Sequence, residues 1–283
     1  SYGDAVIVRT PEFGWTVIVG SGYNNDDGKG YIYFINPRTG ALLKTLVTPE
    51  GDNGTPINLA QITAYTETYQ EQLADSLYAG DLQGNIWRVD LTPSSNAKTV
   101  AGITTTTTSY DYTLVKIGTL KDSSGVAQPI TTKPLVEIEP SSGKRFVMVG
   151  TGQLLSDNDI SGTQRQAFYA INDGLKPSGK FYSTLLTSTT GSTTTTYSGV
   201  ATPNWGDPLT PITFPVTRSH LVDNTDLTVG ISSSAEKPMG WFYDLATDSG
   251  SGIAERVNIQ PTATSDGIVG FAANLPNGNA CSP

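Results

Sequence analysis

Three segments of this chain share one order of residue types: a short hydrophobic run, a glycine turn, an aromatic run, then Asn or Asp. They read VIVGSG followed after a polar loop by GYIYFINPRTG, then LYAGDLQGNIWRVDL, then FVMVGTG followed after a loop by QAFYAINDG. A hydrophobic run, a tight return and a second run make a β-hairpin, and its recurrence predicts an architecture of repeated small sheets. The copies start near residues 15, 76 and 146, so they are spaced by about 60 and 70 residues. That is longer than a minimal four-stranded unit, and it places insertions between the shared segments. Two such insertions are rich in threonine, AGITTTTTSY at 101–110 and LLTSTTGSTTTTYSGV at 185–200. Their composition fits exposed loops and outer strands equally well.

The pattern predicts an all-β chain, a β-propeller or partial propeller of about four to five small antiparallel sheets with long Thr-rich insertions. A β-sandwich is the alternative. Residues 1–283 are read as a single domain, the C-terminal part of a larger protein. The abundance of turn formers agrees: 30 glycines and 17 prolines accompany only 15% charged residues, where an ordinary soluble domain carries roughly a quarter. One helix is expected, over 59–74, where Tyr65, Tyr69 and Leu73 recur at a spacing of four.

Charge and motif content remove several function classes. A formal net charge of −9 repels a phosphate backbone and argues against nucleic acid as a partner. No run of 18 apolar residues marks a transmembrane helix, and residues 1–10 lack a signal-peptide pattern. The GSGY and GTGQ turns lack the third glycine of a dinucleotide fingerprint and the helix after it. The chain contains no P-loop, paired-cysteine knuckle, His-Glu-x-x-His or Gly-x-Ser-x-Gly motif. The single cysteine, Cys281, stands beside the end of the chain, where an organised nucleophile is not expected and where its pairing partner would belong to a longer protein.

What remains are weak constellations. Asp26, Asp27, Asp81, Asp157, Asp159, Asp173 and Asp207 lie near turns and could supply a glycosidase carboxylate pair, but acids at turns ordinarily cap backbone N–H groups. His220 beside Asp223 in RSHLVDN reads as a rim or turn histidine rather than a base. Asn24 to Gly28 and Asp157 to Asp159 are acidic enough to attract calcium, yet neither has the Asp-x-Asp-x-Asp-Gly loop with a distal acid. Asn53-Gly54-Thr55 is the one glycosylation sequon. Trp15, Trp87 and Trp241 sit in strand-like runs and are assigned to the core, whereas Trp205, among prolines and glycine, is expected to be exposed. No catalytic, cofactor-binding or metal residue is assigned. The noncatalytic reading has two alternatives, a carbohydrate-binding or glycoside-acting propeller using Trp205 and turn acids, and a calcium-stabilised scaffold using the loop at 24–28.

GSGYNNDDGKGYIYFINPRTGALL, LYAGDLQGNIWRVDL, FVMVGTGQLLSDNDISGTQRQAFYAINDG, GWFYDL and the ending NLPNGNACSP, in that order, resemble the C-terminal domain of the type IV pilus tip adhesin and biogenesis family, the PilY and PilC proteins. The resemblance implies a modified β-propeller at the end of a much larger secreted protein of Gram-negative bacteria. It further implies a place at the outer membrane and pilus tip, roles in pilus biogenesis, retraction control, adhesion, virulence and twitching motility, and no enzymatic activity. Implied partners are major or minor pilins, the rest of its own longer chain, and a host-cell surface receptor. In the family an Asp-x-Asp-x-Asp-Gly-type calcium loop precedes the YAGDL segment. Here that stretch reads AYTETYQEQLADSLYAGDL, where only Asp75 matches the closing acid and Thr66, Glu67, Thr68 and Glu71 lack the spacing, so loss of the site is expected.

Overall fold

The computed structural model describes residues 3–66, 70–100, 103–110, 112–140, 144–175, 185–190, 193–198, 214–226, 239–264 and 268–276. Its first sheet is an antiparallel meander of β1 (Val6–Thr10), β2 (Gly14–Gly20), β3 (Tyr31–Ile35) and β4 (Leu42–Val47), with Val17 opposite Ile35 and Tyr31 opposite Val47. β5 (Leu59–Thr66), β6 (Ala74–Asp81) and β7 (Asn85–Asp90) follow, then a hairpin of β8 (Ser94–Val100) and β9 (Ile103–Ser109), then β10 (Leu114–Thr119). The second sheet has the order β10-β7-β6-β5, so the β8–β9 hairpin is an excursion between two strands of one sheet.

The third sheet is built in the same way. β11 (Leu135–Ile138), β12 (Lys144–Gly150) and β13 (Ala167–Leu175) lead into a hairpin of β14 (Leu185–Thr190) and β15 (Thr193–Ser198). β16 (Val222–Asp223) and β17 (Gly240–Asp244) then return to give the order β11-β12-β13-β17-β16, and only the short β16 runs parallel to its neighbour. A last pair, β18 (Thr262–Ala263) and β19 (Val269–Gly270), places Val269 and Phe271 against Met148, Phe168 and Ala170.

The three repeated hairpins read from the sequence are β2–β3, β6–β7 and β12–β13, the central strand pair of each sheet. All-β architecture in small antiparallel sheets is therefore as expected, and the Thr-rich insertions contribute the two extra hairpins, whose residues Thr104 to Thr108 are exposed. By internal contacts the chain divides into two compact units, one of residues 1–78 with 87–115 and one of 79–86 with 116–283.

The expected helix over 59–74 is wrong. Residues 59–66 form β5, and β6 begins at Ala74. Leu59, Ala60 and Ile62 are buried, β5 packs against β1 and β2, and Gly20 lies against Ala60 and Ile62. A β-branched and aromatic run with a sheet beside it gains more from that surface than from a helical spacing of tyrosines. Among the described residues the one α-helix is α1, a single turn over Asp157–Ile160, and no helix is long and apolar enough to cross a membrane.

Candidate functional site

Burial separates the first repeat from the other two. β7 is buried at Asn85 to Val89, and in β13 residues Ala167 to Ile171 are all 0% exposed, so both faces of those central strands are covered. β3 instead alternates, with Ile32 and Phe34 buried and Tyr31, Ile35 and Tyr33 half-buried. The inner face of the first sheet, from Val8, Thr10, Thr16 and Ile18 to Ile32, Phe34 and Leu46, is buried. Its outer face carries Ile7, Trp15, Val17, Val19, Tyr31, Tyr33, Ile35, Leu42 and Val47, by the period-two alternation of strands. Four of these are exposed: Ile7 at 60%, Trp15 at 52%, Leu42 at 60% and Val47 at 43%. Tyr31 and Tyr33 lie with their rings parallel, 6.0 Å between centroids. Arg9, opposite Trp15, and Thr45, opposite Tyr33, share this mostly apolar face, and exposed apolar area of this kind marks an interaction surface.

Trp15, expected in the core, is exposed instead. It stands opposite Arg9 on the outer side of β2, while its neighbour Thr16 points inward to meet the Thr10 hydroxyl at 3.2 Å. The other two strand tryptophans match their assignment: Trp87 is buried, and Trp241 packs on Phe168 at 6.0 Å. Trp205, Asp207 and Cys281 lie outside the described residues.

The turn acids serve the backbone. Asp81 is fully buried and accepts from Gln83 N, Asn85 N and Asn85 Nδ2, which fixes the β6–β7 turn. Asp27 accepts from the Tyr31 hydroxyl and from Lys29 N, and these bonds hold its carboxyl below the usual aspartate range. Within the same loop Asn25 Nδ2 donates to Ser21 Oγ and Lys29 O. Gly28 is required there: its φ is +71° and an added Cβ would lie 2.0 Å from Asp52 O. Asp52 in turn accepts from Gly54 N, Thr55 N and the Thr55 hydroxyl, so the sequon is an Asx turn. Asp223 accepts from Thr225, while His220 Nδ1 accepts from Thr217 N in the turn Arg218–His220. Asp26 and Asp157 are exposed, and Asp173 is buried in β13. Among the described residues no group of three or more His, Cys, Asp or Glu could hold a metal ion.

Two arginine-centred networks organise the second unit. Arg218 forms an ion pair with Asp244, donates to the Tyr169 hydroxyl at 3.1 Å and lies 3.8 Å over the Phe242 ring. Tyr169 donates to Gln128 Oε1, and burial pushes its phenol up to about 12. Arg256, 4% exposed, donates to four carbonyls, those of Gln153 at 3.0 Å, Gly162 and Ala254 at 3.2 Å each, and Asp159. The Asp159 carboxylate meanwhile accepts from Gln153, Leu155 and Ser156. Burial works against its ionisation, but these bonds outweigh it and hold its pKa low. In the 153–162 loop a guanidinium therefore sits where a calcium ion would need carbonyl ligands. Neither network was anticipated: apart from the local Ala254 carbonyl, the hydrogen-bond partners of the two arginines lie 26 to 103 residues away, and no local spacing signals them.

The family model described as the PilY1 beta-propeller domain matches residues 1–196. A type IV pilus biogenesis factor PilY1 homolog of Xylella fastidiosa is 30% identical over 59% of this chain and 12% of its own length. The type IV pilus biogenesis factor PilY1 of Pseudomonas aeruginosa is 27% identical over 61% of this chain and 16% of its own. The fold is similar to the crystal structure of the Pseudomonas aeruginosa PilY1 C-terminal domain, with a TM-score of 0.67 and 22% identity, over 98% of this chain and 56% of that one. The chain thus spans less than a fifth of the length of the curated relatives it matches.

Proposed function

This chain belongs to the PilY1 β-propeller domain family, and from that membership we propose that it is a noncatalytic interaction domain of a type IV pilus protein. It acts in pilus biogenesis and retraction control, and through the pilus in adhesion and twitching motility. Its place is the outer-membrane surface and pilus tip, and its partners are major or minor pilins, the rest of its own longer chain and a host-cell receptor. The observation that carries the reading is the uncovered apolar face of the first sheet, since the homologous strands of the second and third sheets are buried on both faces. A residue type kept apolar where it meets water needs a partner to cover it. The engagement of Asp27, Asp81 and Asp159 in bonds from backbone N–H groups supports the noncatalytic part.

The test is a pull-down of the domain against purified major and minor pilins, with wild type and a Val19→Lys/Tyr33→Lys variant side by side. Both side chains lie on the outer face opposite one another, so the two lysines repel across the strand pair. Capture of a pilin by wild type, lost in the variant at near-native secondary structure, is the expected result. Equal capture by both sinks the assignment of this face.

A further inference from the structure

In each sheet one strand flanks the second strand of the repeated hairpin: β4 beside β3, β10 beside β7 and β17 beside β13. Two of these three flanking strands carry a further, parallel addition. Val216 bridges Gly118 of β10, its N donating to Ile117 O at 2.8 Å while Thr119 N donates to Val216 O at 2.9 Å. β16 lies parallel on β17, with Val222 beside Trp241 and Asn224 N donating to Phe242 O at 2.9 Å. Among the described residues β4 has no such cover: it ends the order β1-β2-β3-β4, and its only strand partner is β3.

The register shows which backbone groups this leaves open. Thr48 N donates to Gly30 O at 2.9 Å, so antiparallel alternation turns the N–H and C=O of Leu46 towards Ile32. Those of Thr45 and Val47, opposite Tyr33 and Tyr31, then point out of the edge. Both residues are exposed. The edge carries few of the usual guards against pairing. LLKTLV has no proline, and its one charge, Lys44, is turned to Glu12 at 2.9 Å and lies 4.4 Å from the centre of the Tyr112 ring. The bulge opposite Phe34 and Ile35 sits at the Leu42 end, and residues 44–47 keep regular register. Alternating donors and acceptors along a strand are matched by another extended backbone, whereas a helix has spent its own N–H and C=O groups internally.

We propose that β4 is a strand-addition site, on which an extended segment of a pilin lies parallel, with apolar residues at the alternate positions that continue the outer face beyond Thr45 and Val47. That the strand comes from a pilin rests on the proposed function; that the occupant is a strand rests on the edge. The test is hydrogen exchange read amide by amide on this chain, alone and with purified major or minor pilin. Pull-downs of Thr45→Pro and Thr45→Val accompany it, since proline deletes an N–H that β3 does not use and sets its ring across the edge. Thr45 and Val47 amides are expected to exchange fast in the free chain and at least tenfold more slowly with pilin. Thr45→Pro weakens capture about tenfold, and Thr45→Val keeps it. Protection of the Leu46 amide in Thr45→Pro reports intact β3–β4 pairing; if that variant loses it, the wild-type exchange comparison decides. Capture of pilin with Thr45 and Val47 still exchanging fast overturns the strand proposal and leaves the pilin reading standing. Absence of capture overturns both. Protection of the two amides that appears on concentrating the chain alone means that a second copy fills the edge, and overturns the proposal as well.

Discussion

Replacing Arg256 by Met probes the hydrogen bonds that hold the 153–162 loop, because the methionine stem keeps the packing on Gly152 while all guanidinium donors vanish. Four carbonyls lose a charged donor. Bonds to charged groups are worth about 1.5–3 kcal/mol each before relaxation. Gln153 and Gly162 are only half-buried, so their carbonyls regain water; Ala254 is fully buried and its carbonyl stays orphaned. The net loss is then about 3 kcal/mol, with a range of roughly 2–5. At ~2–4 °C per kcal/mol for a chain of this size class, Tm falls by about 6–12 °C. The assay pairs thermal unfolding with hydrogen exchange. Gly162 N and Ala254 N, bonded to Asp159 O and Gly162 O at 3.1 Å each, lose protection in the variant, while Ile18 and Ile32 in the first sheet keep theirs. Arg256→Lys, with three donors on one nitrogen, recovers part of the loss. A Tm within about 1 °C of wild type, with unchanged exchange in the loop, refutes the reasoning that the guanidinium holds this segment.

Three further outcomes follow from individual sites. Gly28→Ala forces a Cβ onto Asp52 O in a left-handed conformation, and a loss of about 2–4 kcal/mol in denaturant unfolding is expected; a neutral result means the 24–28 loop yields freely. Burial raises the Asp90 carboxyl above its ordinary pKa despite bonds from Thr92. Its contribution is therefore most favourable below the unfolded pKa and is lost as pH rises through the folded one. Asp90→Asn is accordingly more stable than wild type at pH 7, and the advantage disappears below the aspartate range; urea titrations at the two pH values check the sign. Added millimolar calcium and added chelator are expected to give the same Tm, since Asp27 and Asp159 already cap backbone and Arg256 occupies the carbonyls of the second loop; a calcium-dependent rise would reinstate a metal site.

The repeat was legible because each hairpin is local: an apolar run, a glycine turn and an aromatic run lie within about 20–30 residues, and their hydrogen bonds close within that span. The helix expected over 59–74 failed for the opposite reason. Nothing within the segment shows that Leu59 and Ile62 will meet β1 and β2, and a tyrosine spacing of four occurs in strands by accident. Trp15 failed because strand alternation fixes that Trp15 and Thr16 face opposite ways but not which side is inside; a buried Thr10–Thr16 pair decided it. The uncovered face itself was invisible, since YIYFI and AFYAI look equally apolar and the polar NIWRVD is buried all the same, so what lies against each strand decides. The arginine networks were out of reach because Arg256 finds Gln153 across 103 residues, a separation at which spacing carries no information.

The central claim, that the outer face of the first sheet is where this domain engages the pilus machinery, is tested most directly in cells. The Val19→Lys/Tyr33→Lys substitution is placed in the full-length protein of a piliated strain, with surface pili counted by shearing and twitching zones measured beside wild type. The account predicts normal protein levels with surface pili and twitching strongly reduced. Wild-type piliation and twitching in that strain would contradict it.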